Sequence, residues 1–125
     1  MNVTRNRRNG ITDERGTITM ILDTGTAVHS VLHITSKAGT IRSNHYHTTD
    51  AHYCYVEFGK VEWFEQPVAG GPVESTILHA GDLVFTPPMT AHAAKFLEDT
   101  VLWAFATNAR NQTDYETDTV RVKLI

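Results

Sequence analysis

A single cysteine, Cys54, is all the thiol chemistry in the 125-residue chain, so no internal disulfide can form and no zinc-finger spacing of thiolates exists. The chain is therefore compatible with a reducing compartment. Long apolar runs are missing as well: the longest notable one, VLWAFA at 101–106, falls far short of the roughly 20 residues a helix needs to cross a bilayer. The opening MNVTRNRRNGITDERG stays polar where a secretory signal would turn apolar behind its positive charges. These absences lead to the expectation of a cytoplasmic protein with no membrane partner. Under that expectation the Asn-x-Thr triplets at Asn2 and Asn111 carry no glycosylation meaning. An excess of positive charge is lacking too. With 11 Lys and Arg against 14 Asp and Glu the net charge is -3, which offers no broad attraction to phosphate backbones and argues against a nucleic-acid partner.

No segment sustains a helical stripe of ten or more residues, whereas short β-branched and aromatic runs recur between glycines and prolines. The pattern predicts an all-β chain. Expected strands are TITMIL (17–22), TAVHSVLHI (26–34), TIRSNHYH (40–47), HYCYVEF (52–58), KVEWFEQ (60–66), VESTILH (73–79), DLVFT (82–86), AHAAKFL (91–97), TVLWAFA (100–106) and TVRVKLI (119–125). So many short strands imply a sandwich or a closed barrel, because an open sheet of this length leaves exposed edges. Residues 1–16 read as an N-terminal arm and 17–125 as one barrel domain, large enough to bury roughly 65% of its unfolded surface. The RNRR stretch at 5–8 reads as a solvated, frayed end, with a phosphate-binding role or a crossing to a second subunit as the other possibilities.

The sixteen residues NHYHTTDAHYCYVEFG (44–59) concentrate three of the seven histidines. Successive strand side chains point to opposite faces, so His45 and His47 share a face that Tyr46 leaves. After the turn TTDA, His52 opens the next strand, which can pair antiparallel beside the first and present its ring to the same place. Far downstream, GDLVFTPPMTAH supplies His92 after a proline-stiffened turn. Imidazole nitrogen suits Fe, Ni, Cu and Zn, and three or four such donors can hold a divalent ion inside a barrel.

These stretches resemble the two motifs of the cupin superfamily. Gly39, the five residues to Asn44, His45-Tyr46-His47, the four residues 48–51, position 52 and Gly59 follow the first motif's spacing, with His52 where the family usually has glutamate. Gly81, Pro87 and His92 follow the second, with Met89 in place of its glycine and Phe96 in place of its asparagine. The two motifs span residues 39–96, about half the chain. The resemblance implies a single double-stranded β-helix (jelly-roll) barrel of the small single-domain type, with a divalent transition metal (Zn, Ni, Fe or Cu) on His45, His47, His52 and His92. ITDERGTITMIL and YETDTVRVKLI are also similar to the terminal segments of small cupins of bacterial nucleotide-sugar and polysaccharide pathways.

A histidine at position 52 leaves the double charge of such an ion uncompensated, which strengthens it as a Lewis acid and draws anionic substrates. The expected function is a metal-dependent small-molecule enzyme, an isomerase or lyase or else an oxygenase; the alternative is a module that binds a metal or small ligand without turnover. A tetrahedral ion held by all four rings would be closed to substrate, so catalysis would require expansion to five or six coordination or release of one ligand; a structural metal site, and an empty site with His52 only hydrogen-bonding, stay open as alternatives. Single-domain cupins often pair, and the apolar end VRVKLI could complete a neighbour's sheet, so a homodimer is expected.

The residues beside the site read more plainly. Cys54 shares the inward face of His52 and is expected as a small buried hydrophobe. Val56, Phe96 and Trp103 are expected in the core or the pocket wall, and Tyr46, Tyr53 and Tyr55 on the opposite face. His29 and His33 read as ordinary hydrogen-bonded residues, and His79 as a turn residue. Glu62 and Glu65, three apart on a strand, face opposite ways and form no acid pair. No nucleophile elbow or Ser-His-Asp set is recognisable.

Overall fold

Short alternating strands close into two facing antiparallel sheets in a computed structural model that describes all residues, 1–125. The elements are β1 (Asn2–Thr4), β2 (Ile11–Asp13), β3 (Gly16–Ile18), β4 (Ser30–Ser36), β5 (Ile41–His47), β6 (His52–Phe58), β7 (Lys60–Pro67), β8 (Glu74–His79), β9 (Leu83–Thr86), β10 (Thr90–Phe96), β11 (Thr100–Ala106), α1 (Gln112–Asp118) and β12 (Thr119–Arg121). One sheet runs β1-β9-β6-β11-β4 and the other β12-β5-β10-β7-β8. From β4 onward the chain crosses between the sheets at almost every connection, and only the Gly70-Gly71 hairpin joins sequence neighbours, β7 and β8, in one sheet. The all-β jelly-roll barrel expected from the sequence is the architecture observed.

Inward positions of both sheets supply the core: Cys54 and Val56 from β6, Val61 and Trp63 from β7, Leu78 from β8, Val84 from β9, Ala94 and Phe96 from β10, Leu102 and Ala104 from β11. Burying each larger aliphatic or aromatic side chain contributes about 1.5–3 kcal/mol, and these positions face one another across the sheets. Gly59, which turns β6 into β7 with φ +97°, sits where an added Cβ would fall 2.4 Å from the Asp99 carbonyl oxygen.

The structure corrects several sequence expectations. The strand at 17–22 shortens to β3, which pairs with β2 in a separate hairpin outside the barrel sheets. The strand at 26–34 shifts to Ser30–Ser36, and that at 119–125 stops at Arg121. Asn44 holds the final residues instead, its Oδ1 accepting from the backbone N–H of Leu124 (2.9 Å) and Ile125 (3.1 Å). The N-terminal stretch is not frayed: β1 pairs with β9, and Arg5 donates to Asp82 (2.8 Å), Thr76 (2.8 Å) and the Ile77 carbonyl (2.6 Å). Trp103 faces outward, its ring 4.6 Å from His33 and its Nε1–H donating to Glu57. Finally, TTDA does not close a hairpin. β5 and β6 belong to opposite sheets, so the turn carries the chain across the barrel.

Candidate metal centre

A β-bulge prepares the site. In β5 both Ser43 (φ 71°) and Asn44 (φ 55°) take left-handed backbone, and the pairing with β10 slips between His45↔His92 and Ser43↔Ala93. Bulges of this kind re-aim the side chains that follow. Here His45 and His47 turn inward, both buried, and His45 lies directly opposite His92 of β10. His52 reaches the same place from the facing sheet, on β6.

The four sequence-selected histidines therefore meet. Ring centres are 4.7 Å apart for His45–His47, His45–His92 and His52–His92, and 5.7 Å for His47–His52 and His47–His92. One nitrogen each of His45, His47 and His92 lies within 4.8 Å of the other two. His52 stands beside this triad rather than in it, its Nε2 3.2 Å from Nε2 of His92.

Hydrogen bonds orient the rings. Nδ1–H of His92 donates to the Thr90 carbonyl (3.2 Å), which leaves the lone pair of Nε2 facing Nε2 of His52. Nδ1 of His47 lies 3.3 Å from the Thr119 hydroxyl and 3.9 Å from the Asp118 carboxylate, so its Nε2 is turned inward. That Nε2 and Nδ1 of His45 are buried with no hydrogen-bond partner in the protein. Orphaned lone pairs on neighbouring imidazoles are the donor set a divalent transition ion takes, so the residues fit such an ion. Burial pushes His45 down to about 3 and His92 down to about 4; the neighbouring histidines reinforce the fall in His45. Burial likewise holds His52 well below the ordinary imidazole value and lowers His47. All four rings are thus neutral at pH 7, the form in which imidazole binds a metal.

Beside the rings lies a cavity of about 230 Å³. His45, His52 and His92 line one side, and Leu32, Ile34, Phe96 and Leu102 form an apolar wall. Cys54 is buried there with Sγ 3.6 Å from Nδ1 of His52, and burial pushes its thiol up to about 12, so it remains an S–H. Trp63 stacks on His92, ring centres 5.7 Å apart at 8°, and its Nε1–H donates to buried Glu65 (3.0 Å), which also accepts from Thr86 (2.7 Å). Sequence reasoning passed over Trp63, Arg42, Arg110 and Tyr115, which also line the cavity. The first could have been found from its alternation with Val61 and Glu65. Tyr115 rides on α1, whose start was signalled by Asn111 three residues before Asp114, the spacing of a helix cap.

No protein-family model matches the sequence, and no curated protein matches it. Solved structures do. Capsular polysaccharide assembling protein CapF from Staphylococcus aureus aligns over 91% of this chain and 32% of its own, with TM-score 0.71 and 21% identity. The chain thus spans about a third of the length of CapF. A 3,4-ketoisomerase from Helicobacter canadensis aligns over 97% of this chain and 91% of its own, with TM-score 0.79 and 16% identity. QdtA, a sugar 3,4-ketoisomerase from Thermoanaerobacterium thermosaccharolyticum in complex with TDP, aligns over 96% and 88%, with TM-score 0.77 and 19% identity. The chain has the cupin fold. In this cupin barrel the histidines of both sequence motifs point into the space between the sheets, and Met89, which stands where the second motif has glycine, takes left-handed backbone (φ 58°). No helix is long and apolar enough to cross a membrane.

Proposed function

We propose that the chain is a metal-dependent enzyme that isomerises a small oxygen-bearing molecule, with a divalent ion (zinc, nickel, iron or copper) on His45, His47 and His92 and with His52 as fourth donor. The observation that carries this reading is the buried, partnerless Nε2 of His47 among three neutral imidazoles. The 3.2 Å between Nε2 of His52 and Nε2 of His92 suits two donors to one centre. When bound, the ion supplies Lewis acidity that polarises a carbonyl or hydroxyl oxygen and makes the adjacent C–H easier to deprotonate. The chain's own residues do the rest. His45, His52 and His92 face the cavity, the apolar wall excludes water, and the buried Cys54 thiol stays protonated and does not attack substrate; with Nε2 of His52 as the donor to the ion, Nδ1–H of His52 faces the Cys54 sulfur at 3.6 Å. Four neutral ligands favour Lewis-acid chemistry over the carboxylate-containing iron sites of many oxygenases. The likeness to two ketoisomerases favours isomerisation by proton transfer beside a carbonyl over lyase chemistry.

The test joins two measurements on the purified protein. Elemental analysis is expected to find bound transition metal. Proton NMR in heavy water is expected to show deuterium entering the C–H beside the carbonyl of keto sugars or keto acids, and chelation to stop it until zinc is restored. His47→Ala is expected to lose both metal and exchange. A metal-supplemented protein that retains no ion, or exchange that survives complete chelation, would sink the proposal. The short His52–His92 separation also favours a second reading, a closed four-coordinate ion in a non-catalytic binding module. Chelation that melts a protein without exchange activity would identify that case. We also propose that the chain works as a homodimer.

A further inference from the structure

The cavity beside the histidines is lined by a cation that the protein itself leaves unused. Arg110 precedes α1, its Nε is buried without a partner, and none of its N–H groups donates to a protein acceptor. Arg42, the other arginine of the cavity, is committed: it donates from Nε to the Ser36 hydroxyl (2.7 Å) and from its terminal nitrogen to the Thr35 carbonyl (3.0 Å). Arg5, Arg15 and Arg121 are ion-paired elsewhere, whereas Arg110 pairs with no carboxylate. The nearby acids are occupied too. The Asp114 carboxylate accepts from the Asn111 side-chain amide, and that of Asp118 accepts from the turn at Thr48, Thr49 and Asp50. What holds Arg110 is a ring: its guanidinium carbon sits 4.2 Å from the centre of Tyr115. Tyr115 in turn lies 5.7 Å from His47 and 6.4 Å from His45, so the cation is one aromatic ring removed from the imidazoles.

A buried N–H without a partner, here Nε of half-buried Arg110, is costly unless a ligand accepts from it. No Asp or Glu lines this cavity, so the accepting group has to come from outside the chain. A guanidinium is a planar fork that matches a carboxylate with two parallel hydrogen bonds. Size narrows the choice. A cavity of about 230 Å³ lies below the roughly 300–1,000 Å³ of pockets that take drug-sized ligands, which fits a small organic acid better than a whole nucleoside diphosphate sugar.

We infer that the substrate is a small keto or hydroxy carboxylic acid, its carboxylate held by Arg110 and its second oxygen turned toward the histidine cluster. The inference rests on the function proposed above, because the second oxygen is the one the metal centre acts on. The apolar wall of Leu32, Ile34, Phe96 and Leu102 then receives the hydrocarbon part.

Isothermal titration of the zinc-loaded protein with pyruvate and levulinate, and with their methyl esters, tests it. The acids are expected to bind and the esters not. Arg110→Gln is expected to weaken acid binding about ten- to hundredfold while zinc content and melting temperature match the wild type. Arg110→Lys, which keeps the charge without the fork, is expected to fall between and serves if the glutamine variant folds poorly. Esters that bind as tightly as acids, an unchanged Arg110→Gln, or no acid binding by the wild type would each overturn the assignment, as would inorganic phosphate competing on equal terms. Zinc content measured on the same samples separates the two proposals. Acid binding that needs Arg110 in a protein retaining no zinc ends the metal reading alone, and retained zinc without acid binding ends the Arg110 assignment alone.

Discussion

Four neutral imidazoles held side by side by burial make the folded chain sensitive to acid. His45 and His92 titrate at about 3 and about 4 when folded, against 6.5 for a free imidazole. Between those limits the unfolded chain binds protons that the metal-free folded chain refuses, so stability falls as pH drops below about 6.5. Each ring contributes up to about 1.4 kcal/mol per pH unit. Urea denaturation of metal-free protein is expected to show a falling midpoint from pH 7 to pH 4.5, and a flat profile would contradict the buried-neutral assignment. A second expectation concerns Asp118, whose carboxylate bonds the turn at 48–50 and lies 3.9 Å from Nδ1 of His47. Partners behind a ligating imidazole tune its orientation and basicity. Asp118→Asn is therefore expected to lower zinc affinity about tenfold or more, measured by competition with a chelating dye.

At the scale of elements, two turns carry opposite predictions. Met89, in the turn before β10, holds φ 58° with its N–H on the His47 carbonyl (2.8 Å), a backbone state that suits glycine. Met89→Gly is expected to raise stability by up to about 1 kcal/mol, since relief of the left-handed strain outweighs the added chain entropy. Gly59 is the reverse case. Its φ of +97° and the Asp99 oxygen 2.4 Å from an added Cβ make Gly59→Ala destabilising by about 2 kcal/mol or more. Urea melts of the two variants read both signs. The strands were legible because alternation survives in β4, β7 and β11. β3 and β12 were overrun because hydrophobic residues such as Ile21 and Leu124 continue the pattern after the pairing partner ends. α1 was missed because a seven-residue helix with no buried residue leaves no apolar stripe, only its cap.

For the whole molecule, an ion bound only by the folded state stabilises the entire barrel. Zinc at about a thousand times its dissociation constant adds about 4 kcal/mol, so chelation is expected to lower the melting temperature of the wild type but not of His47→Ala. Self-association is the other molecular-scale expectation. The hairpin of β2 and β3 pairs Ile11 with Ile18, which are 80% and 77% exposed on the outside of the barrel. Gel filtration is expected to give a dimer, and Ile18→Glu to shift it toward a monomer. The C-terminal end offers less to a neighbour than the sequence suggested, since Asn44 ties it to its own β5.

Read as a linear string, the chain already determined that it is all-β and that His45 and His47 share a face, because strand alternation is a local property of the backbone. The resemblance to the two cupin motifs also singled out His52 and His92. Only the tertiary structure decided that His52 arrives from the facing sheet rather than from a paired neighbour, and that Arg110 and Tyr115 stand beside the imidazoles. Those placements depend on which sheet each strand joins and on how a loop and a short helix fold back over the barrel. Contacts between residues so far apart in sequence leave no periodic trace in it.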